Sequence, residues 1–105
     1  MAKRKTQSQS HTIVWKESVG IEQAIALKNE LLEAFESYKK IYLDLSAVED
    51  IDTSAIQLIL SAEKEGERRS VPFSVLNTVP ESVSAIVSLL NLTLPITSET
   101  EKANA

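Results

Sequence analysis

The hydrophobic period of this chain switches three times in the same order, from a short strand-like run to a helical stripe, and that alternation constrains its fold more than any other feature. Residues 12–16 hold Thr12, Ile13, Val14 and Trp15, a β-branched and aromatic run that predicts a strand ended by a turn at 18–20. From Ile21 onward, Ala24, Leu27, Leu31, Ala34, Phe35 and Tyr38 recur at steps of three and four, with Glu22, Lys28, Glu30, Glu33 and Glu36 between them. That spacing predicts an amphipathic helix. Ile41, Leu43 and Leu45 then alternate about Tyr42 and Asp44, the period of a buried strand.

The same switch follows twice more. Ala55, Ile56, Leu58, Ile59, Leu60 and Ala62 predict a helix over 53–69 that is buried mainly in its first half, before the chain turns highly charged. Residues 71–76 read as a third strand, with Pro72 tolerated near its start or on an edge. Thr78 is placed to cap the next helix, Pro80 to sit in its first turn and Glu81 to complete a capping box, with Val83, Ile86, Val87 and Leu90 on one face. The order implies an α/β fold, a small open and mostly parallel sheet of about four strands packed with about three to four helices. Residues 92–96 are the expected extra edge.

Composition sets the boundaries and excludes several functions. The chain has 105 residues, two glycines, one His, no Cys and a formal net charge of -4. A domain of that size buries enough surface for a core without disulfide or metal staples. Residues 1–10 and 97–105 are poor in anchoring apolar groups and are expected to be polar, disordered tails around a domain at 11–96. Without thiols and with one imidazole, thiolate redox chemistry and the common zinc sets are excluded, so no metal and no cofactor is expected. Mild acidity argues against a nucleic-acid partner. No apolar run approaches the roughly 20 residues of a membrane span, so no direct membrane insertion is expected. The basic start is followed by polar residues rather than the apolar stretch of a signal peptide, and the chain is read as cytoplasmic.

Chemistry-bearing residues concentrate in one place. In open parallel sheets, function sits beyond the carboxyl ends of strands, where helix N-termini present free N–H groups. After Leu45 a predicted acidic loop brings Ser46, Glu49, Asp50, Asp52, Thr53 and Ser54, together with Asp44, to the start of the second helix. Spacing alone favours a capping role for Asp52, Thr53 or Ser54, since Ser54 and Gln57 make a capping box by themselves. The alternative is a hydroxyl switch: a phosphate there adds about -1.5 to -2 charges beside Glu49, Asp50 and Asp52 and changes which partner docks. Spacing does not choose between Thr53 and Ser54.

Residues 43–60, reading LDLSAVEDIDTSAIQLIL, followed by Val75, Leu76, Asn77 and the stretch from 83 to 92, resemble the STAS domain of anti-sigma factor antagonists over most of 13–96. The resemblance implies a non-enzymatic protein-interaction module whose partner is an anti-sigma factor or Ser/Thr switch kinase. It also implies that the hydroxyl residue after the motif's Asp, here Thr53 after Asp52, is the phosphorylation site, with Ser54 as the adjacent second hydroxyl. The partner surface so implied comprises Asp44, Ser46, Glu49, Asp50, Asp52, Thr53, Ser54, Ala55 and Gln57. Ala55 stands where the motif has Gly, which keeps the position small but removes backbone freedom. The family commonly opens with two strands in a hairpin, where this chain shows signal for one. Thr at the switch position, followed by Gln57 and Leu58, resembles the stand-alone members of chemotaxis or lipid-transport assemblies, in which the domain is an unphosphorylated scaffold subunit.

Two enzyme-like readings fit less well. An aspartyl-phosphate receiver needs more βα units and an acidic pair after its first strand. A nucleotide hydrolase lacks its glycine-rich loop, since Gly20 and Gly66 stand alone. No catalytic residue is assigned: a Ser-His-Asp set would depend on His11 at the tail junction.

Overall fold

The computed structural model describes residues 9–97, so the predicted tails at 1–10 and 97–105 lie almost wholly outside the described residues. Six elements follow the predicted order: β1 (Ser10–Val19), α1 (Ile21–Ser37), β2 (Lys40–Ile51), α2 (Thr53–Arg69), β3 (Phe73–Val75) and α3 (Glu81–Leu89). The strands form one parallel sheet in the order β1-β2-β3. Consecutive parallel strands joined by crossovers of one hand put their helices on one face. Accordingly α1 and α2 lie side by side, with Leu31, Phe35, Leu58 and Ala62 lining the groove between them.

The sheet has three strands rather than about four. Residues 92–96 contribute a single parallel bridge between Val75 and Ile96, with Val75 N–H donating to Pro95 O at 2.9 Å and Thr97 N–H to Val75 O at 2.9 Å. Pro95 has no N–H to extend a ladder. β3 is short, and Pro72 immediately before it supplies only an acceptor, to Ile41 N–H at 2.9 Å.

Both longer strands outrun their expected bounds. β1 continues through 18–19, where a turn was expected, and β2 continues through Ser46, Glu49 and Asp50, where a loop was expected. The reason is irregular pairing. The register slips once between Val14 and Lys16, which pair with Asp44 and Ala47, and again between Glu17 and Ser18, which pair with Val48 and Asp50. Each slip inserts an extra residue in β2, which bends a strand and re-aims its side chains. Strict alternation would turn Val48 away from Leu45 and Ile51; with the bulges all three are buried. Asp44 holds the first slip, its Oδ1 accepting from Ser46 N–H at 2.9 Å and from the Ser46 hydroxyl at 2.7 Å.

The core is one cluster. Ile13, Trp15 and Val19 of β1, Ile41, Leu43 and Leu45 of β2 and Val75 of β3 meet Leu31, Ala34 and Phe35 of α1, Ile56 and Ile59 of α2, and Val83 and Val87 of α3. α2 stays buried along one side as far as Gly66, beyond the predicted first half. Its end is left-handed, Ser70 having φ 62°. α3 departs from its predicted start: Pro80 is the N-cap, its carbonyl accepting from Val83 and Ser84 N–H at 3.0 Å, and Thr78 lies exposed outside the helix. A Pro cap has no side-chain acceptor, so the expected Thr78–Glu81 box does not form.

Candidate functional site

β1 and β2 end together, Val19 opposite Ile51, and each feeds a helix after a single residue, Gly20 before α1 and Asp52 before α2. Two helix N-termini are therefore held side by side at the carboxyl end of the sheet. Asp52 N–H donates to Val19 O at 3.1 Å, fixing one helix entry against the other. The Asp52 carboxylate caps α2: Oδ1 accepts from Ala55 N–H at 3.2 Å and from the Ser54 hydroxyl at 2.6 Å. The Ser54 hydroxyl chiefly holds this carboxyl below the usual Asp range, and N–H groups of Ala55, Ser54 and Ile21 act in the same direction. The last of these belongs to α1, so one carboxylate serves the starts of both helices.

The lowered acidity has a definite pH consequence. A carboxyl depressed in the folded state stabilises fully above its unfolded value, near 3.8, and that contribution disappears as pH falls through the folded value. Asp52→Asn is therefore expected to lower the thermal midpoint at pH 7 and to flatten its fall with acid below pH 4. A variant curve parallel to wild type through that window would show that Asp52 does not carry the linkage.

Each predicted residue has a definite place. Thr53, the first helical residue, is exposed; Ser54, the second, is half-buried and donates its hydroxyl to Asp52; Ala55 is fully buried; Gln57 is exposed. Glu49 and Asp50 are exposed on the final turn of pleat in β2, next to this rim. Asp44 and Ser46 are elsewhere. They pair with each other at the first bulge, and at about 3.3 Å per strand residue Asp44 and Ser46 stand up to roughly 26 and 20 Å along β2 from Asp52. The observed cap is Asp52, and no Ser54–Gln57 box forms.

Sequence reasoning missed Gly20. A Cβ there would stand 3.2 Å from Asp52 Oδ2, so the glycine leaves room for the carboxylate, while Gln23 Oε1 accepts from its N–H at 2.8 Å. The available signal was scarcity, Gly20 being one of only two glycines. Ile21 and Ile25 were also missed as surface features: they are 64% and 69% exposed beside the same rim.

Comparison with known proteins places this geometry. No curated protein matches the chain. Several solved structures share its fold, among them the following three. The anti-sigma factor antagonist SpoIIAA in its unphosphorylated form superposes with a TM-score of 0.74 at 16% identity, covering 99% of this chain and 88% of that one. The Bacillus cell fate determinant SpoIIAA in the phosphorylated form gives 0.69 at 16% identity, covering 99% and 91%. A candidate anti-sigma factor antagonist from Thermotoga maritima gives 0.70 at 26% identity, covering 89% and 84%. The family model described as MlaB, STAS domain, matches residues 3–96. With nearly the whole domain matched and the strand-to-helix motif built at the sheet's rim, this chain belongs to the STAS-domain family.

Proposed function

We propose that the chain is a non-enzymatic regulatory module that binds a protein partner through the joined starts of α1 and α2, with Thr53 as its phosphorylation switch. The exposure of Thr53 at the first position of α2 carries this reading. Its neighbour Ser54 already spends its hydroxyl on Asp52, whereas Thr53 is exposed and follows Glu49, Asp50 and Asp52 closely in the chain. A phosphate on Thr53 gains the N–H groups of the first helical turn and adds like charge to an acidic rim. A partner that docks on unmodified Thr53 then loses its fit, because the phosphate fills the space it would cover.

Family membership and the structural likeness to antagonists, one of them in a phosphorylated form, support a partner such as an anti-sigma factor or Ser/Thr switch kinase. Asp52, Thr53, Ser54, Gln57, Glu49 and Asp50 form the proposed docking rim, with buried Ala55 setting its floor. Asp44 and Ser46 act instead on the course of β2. The cytoplasm is the proposed compartment, and no helix of the described residues is long and apolar enough to cross a membrane.

The test is peptide-level phosphate mapping of protein from its native cells, paired with binding of the co-purifying partner. Phosphate is expected on Thr53 and absent from Thr53→Ala, and Thr53→Glu is expected to weaken partner binding by about tenfold or more. Phosphate confined to Ser54 would move the switch by one residue. A second reading, an unphosphorylated scaffold subunit of a chemotaxis or lipid-transport assembly, is favoured by the MlaB description of the matching family model. It predicts no phosphate on either hydroxyl and undiminished assembly of Thr53→Ala.

A further inference from the structure

The sheet has one edge that is closed and one that is not. Beyond β3, Pro95 O and Thr97 N–H bond to Val75. β1, the other outer strand, pairs with β2 alone, and among the described residues nothing bonds to its far side. Alternation shows which groups stand there. Leu43 O accepts from Leu76 N–H at 2.9 Å, so Leu43 bonds toward β3 and its neighbours Tyr42 and Asp44 bond toward β1. In a parallel ladder Tyr42, aligned with Thr12, bonds to the residues on either side of it, His11 and Ile13. Thr12 and Val14 therefore point their own N–H and C=O outward, and by the same alternation so do Ser10 and Lys16. Such a row is a template for another strand.

A second observation lies at the same edge. Trp15 is 2% exposed, and its indole Nε1–H is buried without an acceptor. Native interiors seldom leave a buried donor unpaired. Trp15 lines an open recess of about 190 Å³ with Val14, Gln23 and Leu27. Gln23 and Leu27 lie on the side of α1 turned away from Lys28 and Leu32, which line the α1–α2 groove, so the recess opens at the outer edge of β1.

We infer that β1 pairs antiparallel with β1 of a second copy of this chain about a two-fold axis at Ile13. The fit of the strand to itself selects this occupant. Glu17, at φ 61°, ends the regular run, which leaves Ser10 to Lys16 free to pair. Laid on its copy, that stretch sets Ile13 against Ile13, Thr12 against Val14, His11 against Trp15 and Ser10 against Lys16. No like charges meet. A shift of one residue would set outward groups against inward ones, and a shift of two would shorten the pairing. His11 stands on the helix side of the sheet, stacked on Tyr38, and is the one imidazole of the chain. The copy's His11 thus arrives opposite Trp15 on the same face, where opposed Cβ atoms are about 4.5–5.5 Å apart, and a neutral imidazole nitrogen accepts from an indole N–H. With β3 already covered, pairing at β1 closes after two copies. It stops at Lys16, short of the Thr53 rim, so the dimer is independent of the proposed switch.

Sedimentation velocity of the purified chain, from low micromolar to near-millimolar concentration, is expected to show a reversible monomer–dimer equilibrium. Its dissociation constant is expected in the micromolar range, because an interface one strand wide is at the small end of specific interfaces. As dimer forms, amide exchange is expected to slow at Thr12, Val14 and Lys16, and the Trp15 indole signal to shift. In a mixture of labelled and unlabelled protein, the Ile13 α-protons of the two copies are expected to show a direct contact. Val14→Pro, which removes an outward N–H and none that bonds to β2, is expected to weaken the dimer at least about tenfold. His11→Ala is expected to return the indole signal to its monomer position. A monomer at every concentration, a dimer without the Ile13 contact, or full dimer affinity in Val14→Pro overturns the inference. Slow exchange at Thr12 and Val14 in dilute monomer also overturns it, by showing that the chain covers its own edge. Edge protection that appears only with the co-purifying partner does the same. Thr53→Glu is expected to dimerise like wild type, so failure of the switch leaves this result standing.

Discussion

Leu43→Ala is expected to cost about 2–5 kcal/mol of stability, the range for deleting a buried leucine whose site cannot close. Leu43 is fully buried at the centre of β2 and pairs with Ile13 on one side and Val75 on the other, so three strands frame the space it fills. Backbone ladders on both sides hold those strands apart. The helical side is also crowded, by Ile56 and Ile59 of α2, both fully buried. In a domain this small each kcal/mol moves the thermal midpoint by about 4–8 °C, so a drop of about 10 °C or more is expected. Urea unfolding should show a lower midpoint with an unchanged slope. Val14→Ala is the control: Val14 is 55% exposed on β1, and its loss is expected to stay within about 0.5 kcal/mol. Equal losses in the two variants would mean that the sheet centre is not the core described here.

Gly66→Ala is expected to destabilise the domain by about 1–3 kcal/mol, although alanine is the better helix former by about 1 kcal/mol. Two opposed effects meet at this residue and geometry decides between them. An added Cβ would stand 2.4 Å from the carbonyl oxygen of Val71 and 3.3 Å from Phe35 and Phe73 side-chain atoms. The first neighbour is backbone and is held in place, because Val71 N–H donates to Gly66 O at 2.8 Å and Pro72 O accepts from Ile41 N–H. Relief requires moving the end of α2 away from the entry to β3. Glu65 on the same turn binds both Arg68 and Arg69, which holds its carboxyl down at about 2, but these exposed pairs are too weak to offset a backbone clash. Chemical denaturation of Gly66→Ala beside Ser61→Ala, an exposed position on the same helix, measures the balance. A stabilised Gly66→Ala would show that the helix end slides freely.

Periodicity alone was enough for the order of elements, because each depends on local spacing that any tertiary context preserves. The stripe from Leu31 to Phe35 could only be helical, and Ile41, Leu43 and Leu45 could only share one strand face. Crossover rules then left a mostly parallel sheet packed with helices; that α1 and α2 share one side follows from the strand order β1-β2-β3. The placement of Asp52, Thr53 and Ser54 at a helix start was readable for the same reason, since capping chemistry is local.

What the sequence did not determine depended on pairing between distant residues. The bulges that carry β2 through Ser46, Glu49 and Asp50 arise from its register against β1, which no local pattern records. They turned an expected loop into strand and left Asp44 and Ser46 far from Asp52. The choice of Asp52 over Ser54 as cap, and the exposure of Thr53, follow from Val19 and Gly20 lying against Asp52, a contact across more than 30 residues of chain. The short β3 and the single bridge at Ile96 reflect two prolines whose effect depends on which neighbour needs their missing N–H. By itself the sequence determined the elements, their order and the residues able to act; tertiary structure decided which of them share a surface, because register and close approach are settled only when the strands pair.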